Sequence, residues 1–265
     1  MTTVGFIGAG NMGSALASAI APADNTRVLV YDTDNARAEA LAASIGASVA
    51  STAEMSSQCD YIFLAVKPNI IPTVAAQLDK LIPCRTSVAL VSMAAGVEIS
   101  SIEAALTSPL PIIRIMPNTP VGVGRGTVLW CANELVDERV ASEFERIMKP
   151  TGLVDKIPER LIDAASAVSG CGPAFVFMFI EALADGGVKC GLPRDRALEY
   201  ATETLIGSAE LLKKTGKHPG ELKDAVCSPG GSTIAGVSAL ERGAFRATAI
   251  DAVTSAYKRT LELGK

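Results

Sequence analysis

Val4-Gly5-Phe6-Ile7-Gly8-Ala9-Gly10-Asn11-Met12-Gly13 opens the chain, and its reading decides the fold. Val4–Ile7 has the branched and aromatic character of a buried strand. The pattern G-x-G-x-x-G follows at once, and Asn11–Ile20 continues with helical spacing. In a strand–turn–helix setting each glycine has a separate task. Gly8 permits the tight turn, Gly10 lets a pyrophosphate approach the backbone, and Gly13 allows close helix–strand packing. The start of the helix adds free N–H groups and a dipole that favours phosphate. Gly8, Ala9, Gly10, Asn11, Met12 and Gly13 are therefore expected to cradle a dinucleotide. A glycine-rich turn without ligand is the alternative, and the flanking strand and helix count against it.

Working outward, short apolar segments recur at Arg27–Tyr31, Tyr61–Val66, Ser87–Val91 and Ile112–Met116, separated by longer stretches such as Asp34–Ile45. That rhythm predicts βαβ units and a mostly parallel sheet. Thr127–Cys131 and Leu153–Ile157 read as later edge strands around a helix at Asp137–Lys149. After Pro158 only helical stretches follow, broken by Gly and Pro: Pro158–Val168, Pro173–Lys189, Pro193–Lys214, Gly220–Val226, Thr233–Arg242 and Phe245–Leu263. The expected fold class is thus α/β, with a mostly parallel N-terminal sheet over residues 1–157 and an all-helical domain over 158–265.

Composition narrows the function. Hydrophobic residues make up 49% and charged residues 20% of the 265, so a large core is available and disorder is not expected. A formal charge of −4 with no Lys/Arg cluster argues against nucleic acid as partner. Mean hydropathy is positive at +0.32. Yet the longest strongly apolar run, Ala174–Ile180, is far short of the ~20 residues that span a bilayer, and the first residues read as a strand rather than a secretory signal. No membrane partner and a cytoplasmic location are expected. Cys59, Cys84, Cys131, Cys171, Cys190 and Cys227 form no C-x-x-C pair, which leaves buried free thiols and no metal site as the expectation. The segment Ala174-Phe175-Val176-Phe177-Met178-Phe179-Ile180 is apolar on every side, so it needs to be surrounded, and burial between two subunits answers that need best.

Three further segments bear on a cofactor. Asp32 ends the second strand, where an acidic residue binds adenosine ribose hydroxyls and disfavours a 2′-phosphate. Capping of the helix that starts near Asp34 is its other reading. The strand Tyr61–Val66 runs into Ala65-Val66-Lys67-Pro68, whose turn should face the cofactor because ligands sit beyond the carboxyl ends of such strands. Met116-Pro117-Asn118-Thr119-Pro120 leaves another strand in the same way. Asn118 and Thr119 can donate to a carboxamide or substrate there, or the segment is a structural turn.

For a substrate, the informative stretch is Leu222-Lys223-Asp224-Ala225-Val226-Cys227-Ser228-Pro229-Gly230-Gly231-Ser232-Thr233-Ile234. A glycine-bearing turn at a helix start is an anion cradle, and a small carboxylate is its natural guest. An ordinary interhelical turn with a Ser/Thr cap is the competing reading.

Taken together, Val4–Gly13, Ala65–Pro68, Met116–Pro120, Val168-Ser169-Gly170-Cys171-Gly172-Pro173-Ala174-Phe175, His218–Asp224 and Ser228–Ile234 resemble the pyrroline-5-carboxylate reductase family, in order and over essentially the whole chain. The Leu-Lys-Asp…Ser-Pro-Gly-Gly-x-Thr segment is the most specific part of the match. The resemblance implies a Rossmann domain followed by a helical domain that interlocks with its twin, giving a homodimer or a decamer built of such dimers. It implies reduction of 1-pyrroline-5-carboxylate to L-proline by hydride from NADPH or NADH. Ser228, Gly230 and Gly231 would meet the substrate carboxylate, and Thr233 would act catalytically at the ring nitrogen. Two positions depart from the family pattern. Asp32 stands where relatives commonly carry Ser, Thr or Asn, leaning towards NADH where the family leans towards NADPH. Cys171 occupies a slot that is often Ser. An iminium needs little acid catalysis, so the lone histidine, His218, reads as a surface or structural residue. A β-hydroxyacid dehydrogenase would need a lysine on an interior helix, and Lys189, at a helix end beside Gly191, is the one obvious candidate. A non-enzymatic NAD(P)-sensing protein would leave the anion-binding turn without purpose.

Overall fold

The computed structural model describes residues 1–82 and 88–263. Cys84 and the start of the expected strand Ser87–Val91 lie outside the described residues. The strands are β1 (Thr2–Ile7), β2 (Thr26–Tyr31), β3 (Ser48–Val49), β4 (Tyr61–Leu64), β5 (Ala89–Ser92), β6 (Ile112–Pro117), β7 (Gly126–Ala132) and β8 (Gly152–Lys156). They form one sheet in the order β3-β2-β1-β4-β5-β6-β7-β8. Every pairing from β3 to β6 is parallel, β7 runs antiparallel to β6, and β8 is parallel to β7. The first six strands have the doubly wound dinucleotide-binding order, which reverses direction between β1 and β4. β7, expected at an edge, lies inside the sheet between β6 and β8.

The inner strands are mostly apolar because both faces are covered. Its residues alternate between two cores. Val4, Phe6, Val28, Val30, Tyr61, Phe63, Val91, Ile113, Ile115, Val128 and Trp130 face one core. That side is completed by α1 (Asn11–Ile20), α2 (Asn35–Ile45) and α6 (Glu138–Met148). Ile7, Leu29, Ile62, Leu64, Leu90, Ile112, Met116, Leu129 and Cys131 face the other. There they meet α3 (Thr52–Gln58), α4 (Ile71–Asp79), α5 (Ile99–Glu103) and α7 (Glu159–Ser169). Burial pushes the Cys131 thiol up to about 12, so it stays protonated and inert.

The same alternation puts Arg114 of β6 on the α7 side, 1% exposed. Its guanidinium meets Glu159 at 3.2 Å and Asp163 at 2.6 Å, both on the first turns of α7. Glu159 also accepts the Ile99 N–H at 2.8 Å, which ties α5 to the same group. This ionic knot fastens α7 to the sheet. Contacts accordingly gather residues 1–171, with the chain beyond 255, into one compact unit and residues 172–255 into another, although the sequence changes rhythm at Pro158.

The second unit holds α8 (Gly172–Lys189), α9 (Arg194–Thr215), α10 (Pro219–Ala225), α11 (Ser232–Arg242) and the first part of α12 (Phe245–Leu263). Its own core is small. Ala184, Ala197 and Ala201 are buried, and Phe179 stacks at a tilt on Phe245 with ring centroids 5.5 Å apart. On α8, Phe177 is 63% and Met178 70% exposed in the single chain. The helical stretch Glu159–Lys189, with a hydropathy of 1.7, is long and apolar enough to cross a membrane by length and composition.

Candidate active site

The reversal point between β1 and β4 carries the glycine turn. Gly8 has φ +110°, and a Cβ there would lie 2.3 Å from the Ala65 carbonyl oxygen. The turn after β4 therefore packs directly on the turn after β1, and the Ala65 N–H donates to Ile7 O at 2.8 Å. This close approach ends β4 at Leu64, short of the expected Val66. A Cβ on Gly13 would lie 2.4 Å from Gly8 O and 2.8 Å from the Ala65 methyl, so α1 starts flush against both turns. At Gly10 a Cβ would meet nothing within 4 Å. Gly10 is the N-cap of α1 and lacks a side-chain cap, leaving the first amides of the helix without an intrahelical acceptor. Open space before a set of free N–H groups fits a pyrophosphate.

Asp32 is held at the rim of this turn. Its Oδ2 accepts the Ala9 N–H at 2.7 Å and its Oδ1 the Asp34 N–H at 2.9 Å. It is not the N-cap of α2. That position belongs to Asp34, whose carboxylate lies 3.2 Å from Arg37 Nε. Lys67 is exposed, without an ionic partner among the described residues, and begins a 3-10 turn at Pro68–Ile70. Asn118 is buried, its Nδ2 donates to Ser169 O at 2.9 Å, and its Oδ1 accepts the Thr127 N–H at 2.8 Å. Its amide holds the end of α7 and the start of β7, which leaves one N–H and one lone pair uncommitted by these two bonds. Thr119 is exposed and makes no such bond among the described residues.

Sequence reasoning missed two features of this end of the sheet. The Met93-Ala94-Ala95-Gly96 turn follows β5, which lies parallel beside β4, so it emerges on the same edge as the glycine turn. Its signal was a run of small residues ending on Gly after a strand. Arg114 had no local signal, because its acidic partners lie on a helix remote in sequence.

In the helical unit, α11 begins at Ser232 with Gly231 as N-cap and no side-chain cap. The Gly231 N–H donates to Ser228 O at 3.0 Å and Gly230 has φ +71°. With Pro229 before it, this has the signature of a type II turn, which needs a left-handed residue at its third position. A Cβ on Gly231 would lie 2.3 Å from Ser228 Oγ, so only glycine lets that hydroxyl rest over the start of α11. Ser228 and Thr233 are exposed, and their hydroxyls have no partner among the described residues. His218 is used structurally: its Nδ1 accepts the Gly220 N–H at 3.1 Å and caps α10.

Comparison with known proteins supplies the rest. The family model for pyrroline-5-carboxylate reductase dimerisation matches residues 159–263, and that for NADP oxidoreductase, coenzyme F420-dependent, matches residues 3–96. The chain is 39% identical to the pyrroline-5-carboxylate reductase of Escherichia coli (strain K12), covering 99% of this chain and 98% of that one. It belongs to the pyrroline-5-carboxylate reductase family. The Arabidopsis thaliana reductase is 39% identical, covering 99% of this chain and 95% of that one. A crystal structure of the Plasmodium falciparum pyrroline carboxylate reductase with NADP bound superposes with a TM-score of 0.88 at 34% identity, covering 100% of this chain and 98% of the other. The Coxiella burnetii reductase gives 0.89 at 33% identity, with 100% and 99% covered. A ketol-acid reductoisomerase from an uncultured archaeon matches at 0.65 but only 16% identity, and shares the fold alone. The dimerisation model covers the helical region that includes the exposed apolar face of α8, which supports an oligomer.

Proposed function

We propose that the chain reduces 1-pyrroline-5-carboxylate to L-proline, the last step of proline biosynthesis, using NADPH or NADH in the cytoplasm. The observation that carries this reading is the open cradle at Gly10 in a chain aligned over 99% of its length with a named pyrroline-5-carboxylate reductase. Bound reduced dinucleotide would supply hydride to the carbon of the C=N bond. Gly8–Gly13 hold its pyrophosphate on the free amides of α1, Asp32 meets the adenosine ribose, and Ala65–Pro68 line the neighbouring turn. Residues 158–265 serve substrate and partner subunit. The substrate carboxylate sits on the first amides of α11 beside Ser228, Gly230 and Gly231. The Thr233 hydroxyl holds a hydrogen bond at the ring nitrogen, which becomes a secondary amine as hydride arrives. A ring nitrogen already protonated needs no further acid, which suits a chain whose one histidine caps a helix. We assign the exposed apolar face of α8 around Phe177 and Met178 to contact between subunits of a homodimer rather than to a bilayer. A decamer of such dimers is the larger assembly the family resemblance implies.

The test is direct. Reduced dinucleotide should be oxidised only when pyrroline-5-carboxylate is added, with proline appearing mole for mole. No oxidation with either NADH or NADPH would refute the assignment.

A further inference from the structure

Asp32 is not a freely rotating side chain at the end of β2. Both of its oxygens are engaged by backbone donors, Ala9 N–H at 2.7 Å on one side and Asp34 N–H at 2.9 Å on the other. Tyr31, the residue before it, accepts the Gly8 N–H at 2.7 Å, so the end of β2 and the glycine turn are laced by adjacent bonds. A carboxylate oxygen can accept more than one hydrogen bond. The lone pairs left on Asp32 therefore remain free to accept ribose hydroxyls, while the group itself cannot swing aside without giving up bonds to two amides.

Between Asp32 and Glu39 the structure shows no unpaired cation facing a 2′-phosphate. Thr33, Asp34 and Asn35 follow, and Arg37 is the one cation between Asp32 and Glu39. Its guanidinium is turned to Asp34, with Nε 3.2 Å from the carboxylate. Two carboxylates and one committed guanidinium thus stand where the adenosine ribose edge is expected, an arrangement that accepts hydroxyls and repels a doubly charged phosphate.

We infer that Asp32, clamped to the glycine turn, makes this chain select dinucleotides with a free 2′-hydroxyl, so that NAD(H) is its working cofactor over NADP(H). This rests on the dinucleotide site assigned above, and it separates the chain from the Plasmodium falciparum relative solved with NADP bound.

Calorimetric titration of the intact protein with NAD+ and with NADP+, in the absence of substrate, tests the inference apart from the reaction. NAD+ should bind at least tenfold more tightly. Asp32→Ser should narrow or reverse that ratio by at least tenfold, chiefly by improving NADP+. Asp32→Asn keeps the size and one acceptor, so it should move the ratio in the same direction even if the serine variant folds poorly. Arg37→Gln should leave NADP+ affinity unchanged. Equal or tighter binding of NADP+ by the unmodified chain would overturn the inference. So would a ratio that neither Asp32 variant moves, or a selective loss of NADP+ affinity in Arg37→Gln, which would show the guanidinium turned to the phosphate. Binding of NAD+ without pyrroline-dependent turnover would sink the proposed reaction and leave the selection by Asp32 standing.

Discussion

Gly10 allows ligand binding and folding to be separated by one methyl group. Its backbone, φ −73° and ψ 179°, is open to any residue, and a Cβ there meets nothing within 4 Å. Gly10→Ala should therefore leave the apo protein folded. It should even stabilise it by about 0.4–1 kcal/mol, because alanine restricts the unfolded chain more than glycine does. The same methyl projects into the space assigned to the pyrophosphate. Pulling one phosphate off one helix amide forfeits ~1.5–3 kcal/mol, a ten- to hundredfold loss in affinity, and the larger Gly10→Val should lose more. Gly13→Ala is the contrasting control. Its Cβ would lie 2.4 Å from Gly8 O and 2.8 Å from the Ala65 methyl, an overpacked contact that costs about 1–3 kcal/mol in the apo protein. Denaturation with and without dinucleotide reads both effects. At a hundred times Kd, ligand should raise the stability of the unmodified protein by about 2.7 kcal/mol and barely that of Gly10→Val. If Gly10→Val keeps that ligand-induced rise, or loses its fold while Gly13→Ala does not, the cradle is wrongly placed.

Other sites give equally specific outcomes. Ser228→Ala should raise KM by about ten- to a hundredfold with kcat little changed, because the carboxylate keeps its charge throughout, whereas Thr233→Ala should lower kcat more; two variants that behave like the parent would remove the substrate turn from consideration. Arg114→Met leaves Glu159 and Asp163 without their shared cation. It should cost about 3 kcal/mol in urea unfolding, the low end for a broken buried pair, since the two acids are 34% and 18% exposed; an unchanged midpoint would contradict this. The Glu143 carboxyl is held down to about 2 by the Arg146 guanidinium, with Thr2 as a further donor. A depressed folded pKa stabilises above the unfolded value near 4.5 and is lost as pH falls towards 2, by no more than about 1 kcal/mol given the exposure of the pair; Glu143→Gln should flatten stability across that window, and an unaltered acid limb would count against it. Phe177→Glu should weaken subunit association by about a hundredfold or more, since a two-fold interface loses two buried Phe side chains at ~1.5–3 kcal/mol each; an unchanged sedimentation profile at dilution would place the interface elsewhere.

What could be read in advance follows the range of the interactions. β1, β2, β6 and the helices after Pro158 fall within about two residues of their expected bounds, because strand runs, Gly/Pro breaks and caps act locally. Asn35 opens α2 one residue after the expected Asp34 for the same reason. The short α3 was overlooked although its Ser51…Glu54 capping box, both bonds of which form, is a local signal that was there to be used. Long-range pairings were not legible. Nothing near Asn118 in sequence announces that Ser169 O and Thr127 N–H will take its amide, and Arg114 finds its acids 45 and 49 residues away. The position of Asp32 at the end of β2 was legible, but its bond to Ala9 crosses from β2 to the turn after β1 and appears only once the strands pair.

The two anionic groups in the proposed reaction, the dinucleotide pyrophosphate and the substrate carboxylate, are assigned to the same kind of receptor. Each meets a helix start capped by glycine, Gly10 before α1 and Gly231 before α11, with no side chain bonding the first amides. Neither receptor needs a cationic side chain, which accords with a chain that carries a formal charge of −4. Backbone donors fixed by the fold pay no rotamer entropy on binding, and they do not change charge over the working pH range. The ionisable group that the fold holds by two backbone bonds at the assigned cofactor end, Asp32, is proposed as a sieve for the ribose edge rather than as a proton carrier. Recognition by fixed amides, with the hydride supplied by the dinucleotide, leaves the side chains little proton chemistry to perform. That division of labour explains how a single histidine can be given over to capping α10 without cost to the reaction.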